Sequence, residues 1–174
     1  MKKVWFLGLG LSLALAGCSD SGSDKEKKDE AASSEENQDV AGDLMDFYLN
    51  LTTTVNGVDI DLNGYEEAMA GEEPPTGDEL TTLKDSAAAS AKASAEAVEG
   101  MEIPESLGDQ KEAVESFKST LAESYNMKAE ALATEGETDL TAADEKLNEA
   151  ENQIKDILDE AGLVSSSLIS DING

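Results

Sequence analysis

The chain has 174 residues with 12 lysines, no arginine, no histidine, one cysteine and 39 acidic residues, giving a formal charge of −27. Without histidine there is no Ser–His relay, no imidazole-ligated zinc or haem and no Glu-x-x-His di-metal bundle site, and no Ser-x-x-Lys spacing occurs. A field this negative repels nucleic acid and anionic polymers and attracts cations and basic partners.

The chain opens Met1-Lys2-Lys3, followed by an uncharged apolar run from Val4 to Ala16 that leads into Gly17 and Cys18. A basic start, a short apolar core and small residues before a cut are the layout of a secretory signal. The run is too short for a span, which needs about 20 residues. Leu15-Ala16-Gly17-Cys18 resembles the lipobox of bacterial lipoproteins. That resemblance covers about the first twenty residues and implies cleavage between Gly17 and Cys18, with a diacylglyceryl thioether on Cys18. Two or three acyl chains, at about 0.8 kcal/mol per buried CH₂, hold a protein stably on a membrane. The expected organisation is a signal peptide at 1–17, a lipidated cysteine with an acidic tether at 18–38, and a helical domain at 39–174. Lys2 and Lys3 leave with the signal, so 10 lysines face all 39 acidic residues and the formal charge becomes −29.

Ser19 to Gln38 has no aromatic and no aliphatic side chain larger than alanine. Such a segment buries too little to offset ordering and is expected to be a disordered tether, with an r.m.s. reach of about 25 Å. From Asp39 onward, helix stops are expected at Gly71 with Pro74-Pro75 beyond, at Gly100 with Pro104 beyond, and at Gly136. Thr76-x-x-Glu79, Ser106-x-x-Asp109 and Thr141-x-x-Asp144 read as capping boxes opening the following helices.

Four helical segments result. In the first, Val40, Leu44, Phe47, Leu51, Val55, Val58, Leu62, Tyr65 and Met69 recur at helical steps, although Asn56-Gly57 between β-prone runs also matches a hairpin turn. Nine helix-spaced positions outweigh one local turn pattern, so a helix is expected. The second is alanine-rich, and its small-residue stripe fits packing within one molecule or across a dimer. The third carries Val114, Phe117, Leu121, Tyr125 and Leu132; its rings are expected in the core rather than in a ligand cage. The fourth has an unbroken stripe from Leu140 through Ala161 and Val164 to Leu168. Short connections between four such segments predict an all-α, up-down-up-down antiparallel four-helix bundle.

One local pattern points to a cation. Asp59-Ile60-Asp61-Leu62-Asn63-Gly64 matches the first six positions of an EF-hand loop, and Glu67 falls at its ninth. The twelfth position is Ala70 rather than a bidentate carboxylate. The expectation is therefore at most weak Ca²⁺ association through Asp59, Asp61, Asn63 and Glu67, with no tightly held cofactor. Glu151 and Lys155 read as a stabilising surface pair one helical turn apart.

Beyond the lipobox, the acidic serine-rich tether and the helical pattern are similar to small helical surface lipoproteins of Gram-positive bacteria. The resemblance implies a location on the extracytoplasmic face of the cell membrane and no activity. The resulting expectation is a lipid-anchored, non-enzymatic binding module that meets another envelope protein or a cationic ligand. A calcium-responsive protein is the alternative. A carboxylate-based wall-polymer hydrolase ranks last, because the domain has only five aromatic residues and no tryptophan for sugar stacking.

Overall fold

The computed structural model describes residues 26–173, with side chains from Val40 to Asn173. Gly17, Cys18 and the signal lie outside the described residues. The regular structure of the described part is all helical, with no strand: α1 (Glu26–Asn56), α2 (Ile60–Ala70), α3 (Gly77–Gly100), a 3-10 turn (Glu105–Gln110), α4 (Lys111–Ala133), α5 (Thr141–Glu160) and α6 (Leu168–Ile172). Helix α1 thus starts within the stretch read as tether. No described helix is long and apolar enough to cross a membrane.

The first expected helix is two. At Asn56-Gly57 the chain neither continues as a helix nor turns back as a hairpin. Gly57 N–H donates to the carbonyls of Thr53 and Thr54, and the N–H groups of Val58 and Asp59 both donate to the Val55 carbonyl. The ladder restarts with Asn63 N–H on the Asp59 carbonyl, 2.9 Å. Ser90, reaching across from α3, completes the joint: its hydroxyl donates to the Val58 carbonyl at 2.6 Å and accepts Leu62 N–H at 3.3 Å. One side chain thereby serves a carbonyl freed by the break and an N–H left over at the new helix start.

The fourth expected helix also breaks. Gly162, at φ 74°, closes α5 in a Schellman motif, with its N–H on the Asp159 carbonyl and Leu163 N–H on the Leu158 carbonyl. Leu168 returns to the core on α6, but Val164, in phase with the stripe, is 93 % exposed. The third segment starts later than Ser106. Residues 105–110 form the 3-10 turn, kinked at Gly108 with φ 52° and ψ −118°, and α4 begins at Lys111.

The capping boxes are not closed by their hydroxyls. Thr76 occupies the N-cap of α3 without a side-chain bond. Thr141 is the first residue of α5, and its N–H is taken by the Asp139 carboxylate at 3.0 Å. Hydrogen bonding from the Thr141 side chain, and then from its N–H, holds the Asp139 carboxyl below the usual carboxylate range. Lysines close two helix C-termini instead. Lys84 donates to the carbonyls of Thr134 and Gly136 past the end of α4, and Lys118 to those of Glu99 and Met101 at the end of α3.

Helix α3 packs most extensively against α4, α4 against α5, and α2 against α3, while α1 meets the 3-10 turn, α3, α5 and α6. The α3 face is small, with Ala87, Ala91, Ala95, Ser90 and Ser94 buried. These small side chains leave room for the larger Val114, Phe117, Leu121 and Leu132 of α4. The Ser94 hydroxyl donates to the Ser90 carbonyl, so its burial leaves no orphan donor. Among the described residues all five aromatic rings, Phe47, Tyr48, Tyr65, Phe117 and Tyr125, are in the core.

Candidate functional site

The residues predicted as cation ligands do not converge. Asp59 caps the start of α2, and Asp61 and Asn63 lie within the helix, not in a loop. Steps of two on an α-helix turn about 200°, so successive positions face opposite ways. Asp59 is accordingly buried, Asp61 and Glu67 face solvent, and Asn63 is half-buried, donating to the Ile172 carbonyl at 3.4 Å. Among the described residues no three carboxylate or cysteine side chains gather as metal ligands. The four side chains do not meet at one point in this structure.

What gathers instead is a set of charges between α2, α4 and α5. Lys128 occupies the gap between Tyr125 and Leu132 in the apolar stripe of α4, with its side chain only 5 % exposed. Its ammonium reaches Glu66 Oε1 of α2 at 2.6 Å and Asp144 Oδ1 of α5 at 3.2 Å. A buried ammonium is tolerated because two carboxylates compensate it. Glu66 and Asp144 keep contact with water at 32 % and 54 % exposure and line an open depression of about 400 Å³ together with Tyr65, Met69 and Leu140.

Asp59 lies behind this cluster, 1 % exposed, and its Oδ2 has no hydrogen-bond partner. Burial pushes its carboxyl up to about 6; Asn63 and Lys128 pull it down, and Glu66 adds to the rise. Burial likewise raises the Tyr125 phenol, helped by the negative charges of Asp59 and Glu66.

A second polar knot ties the C-terminal segment down. Asp171 Oδ2 accepts the Tyr48 hydroxyl at 2.6 Å and the Ser166 hydroxyl, and Asn56 donates to the Asp171 carbonyl at 2.8 Å. Burial, then the Asp171 hydrogen bond, lifts the Tyr48 phenol to about 12. Glu151 accepts from the Ser167 hydroxyl and Ile169 N–H. It is therefore engaged with α6, and no ion pair to Lys155 forms.

A larger depression of about 630 Å³ beside Pro74-Pro75 carries Glu67, Glu72, Glu73 and Glu79 and is open to solvent. Compared with known protein families, curated proteins and solved structures, the chain gives no match. The Lys128 cluster was missed in the sequence although its position was visible. Residue 128 is the one polar step in the 114-117-121-125-128-132 series of α4.

Proposed function

We propose that the protein is a membrane-anchored lipoprotein on the extracytoplasmic face of a Gram-positive cell membrane, held by acyl chains on Cys18, and that its helical domain is a non-enzymatic binding module for a basic partner. The domain is an up-down-up-down four-helix bundle in which α1–α2 and α5–α6 are the first and fourth rods, each broken once. The sequential packing of α2 on α3, α3 on α4 and α4 on α5 supports that topology.

The observation that carries the binding reading is where the lysines go. Of the seven lysines whose side chains are described, Lys84 and Lys118 cap helix ends, and Lys92, Lys111, Lys128 and Lys146 pair with carboxylates of the same molecule. Internal contacts thus absorb most of the positive charge, and the outer surface is left to carboxylates. Such a surface steers and holds cationic partners, with a strength that falls as salt rises. The aromatic rings are spent in the core, which removes the stacking platform a sugar-cleaving site would use.

Carbodiimide crosslinking in intact cells joins carboxylates to the amines of whatever rests on them. Recovery of one basic envelope protein, lost when salt is raised during the reaction, is the expected result. Recovery of glycan fragments without a protein would overturn the binding reading in favour of wall-polymer chemistry.

A further inference from the structure

The α1–α2 joint carries a feature that neither the anchor nor the acidic exterior needs. Asp59 starts α2 immediately after the break at Asn56-Gly57, where the helical ladder is interrupted, and its carboxylate turns inward with Oδ2 unpartnered. A buried charged oxygen without a partner costs free energy that a neutral carboxyl does not. The groups around it do not cancel that cost. From α2, Asn63 offers the carboxylate one hydrogen bond while Glu66 adds a like charge; from α4, Lys128 attracts but is already held by Glu66 and by Asp144 of α5, while Tyr125 brings a neutral phenol. From α3, the Ser90 hydroxyl is taken up by the backbone of the joint. Asp171, within α6, is occupied by Tyr48 and Ser166.

We propose that Asp59 is a proton-operated latch on the α1–α2 joint: with its carboxyl protonated the joint sits closed on α3 and α4, and when the proton leaves to solvent the joint opens to carry the carboxylate to water. The joint is suited to this because it is short, its helical ladder is disturbed at Gly57 and Val58, and few side chains pin it: the Ser90 hydroxyl from α3 and the Asn56 amide on the Asp171 carbonyl. Opening loosens the connection between α1 and α2, while α1 itself stays held in the core by Leu44, Phe47, Leu51 and Val55. The latch would therefore open or close the joint with external pH, whatever partner the domain binds.

The raised carboxyl, about 6 against an ordinary 3.8, sets the size of the effect. If the open joint restores the ordinary value, the opening equilibrium rises about tenfold between pH 5 and pH 7.5. Hydrogen exchange of the full chain in detergent micelles, corrected for the intrinsic pH dependence of exchange, reads this directly. The expected result is a roughly tenfold rise confined to residues 57–63, absent in Asp59→Asn and reduced in Glu66→Gln. An unchanged rise in Asp59→Asn, a flat wild-type profile, or an equal rise in the α3–α4 amides would each overturn the proposal. The carboxyl carbon of Asp59, followed by NMR in the wild type, must titrate near pH 6; a midpoint in the ordinary aspartate range would overturn it without any variant.

Discussion

Removing the two carboxylates that hold Lys128 should cost far more than removing Lys128 itself. In the Glu66→Gln/Asp144→Asn double variant the ammonium stays 5 % exposed, having lost partners at 2.6 and 3.2 Å. Breaking a buried pair in this way costs roughly 3–5 kcal/mol, and the attraction of nearby Asp59 places the expectation near the lower end, about 3 kcal/mol. In Lys128→Met the volume is kept and the charge removed. Glu66 and Asp144, 32 % and 54 % exposed, turn to water, so the loss is about 1–2 kcal/mol. Urea unfolding followed by circular dichroism at pH 7.5 separates the two. At roughly 2–4 °C per kcal/mol for a domain of this size, the double variant should also melt about 6–12 °C below the parent. A Lys128→Met protein as unstable as the double variant would refute the reasoning, because the cost would then lie in lost attraction and not in a stranded charge.

Ser90→Ala leaves the Val58 carbonyl and Leu62 N–H without their shared partner and should cost about 1–3 kcal/mol in urea unfolding; a change below 0.5 kcal/mol would mean the joint does not depend on that hydroxyl. Gly162→Ala forces an alanine to φ 74° and should destabilise by about 1 kcal/mol, whereas Gly64→Ala, within α2 and with open space at its Cβ, should be neutral or stabilising in the same assay. Tyr48 is raised to about 12 and Tyr125 is raised as well, so the folded state holds their protons more tightly than the unfolded chain does. Stability should fall as pH climbs from 10 toward 12, and absorbance at 295 nm should show Tyr48 and Tyr125 ionising only as helicity is lost. Titration of Tyr48 and Tyr125 near pH 10 with the helix intact would contradict their burial.

Much of the fold is legible from spacing and punctuation. The Gly71 and Gly100 stops fall at helix ends, and Val114, Phe117, Leu121, Tyr125 and Leu132 are all buried on α4. The breaks were hidden by phase. After Gly162 the extended stretch happens to return Leu168 to the core at the step a continuous helix would have reached, so periodicity runs on through a glycine that the backbone uses as a stop. At Asn56-Gly57 two opposing patterns, helical stripe and hairpin turn, were each half right: the chain turns there and remains helical on both sides. The D-x-D-x-N-G pattern lost its meaning once α2 formed, because a helix separates residues that a loop would bring together. Lys128 was legible only as a gap. A stripe step filled by lysine reads as surface until the carboxylates of two other helices are known to meet it, and that is a fact of tertiary packing.

The most direct test of the central claim is detergent phase partitioning of the expressed protein beside its Cys18→Ala variant, with mass spectrometry of the mature N-terminal peptide. A lipoprotein enters the detergent phase with diacylglycerol on Cys18, and the variant, lacking acyl chains, moves to the aqueous phase or keeps its signal uncleaved. A wild-type chain that begins elsewhere than Cys18, or that partitions into water with an unmodified thiol, would contradict the account.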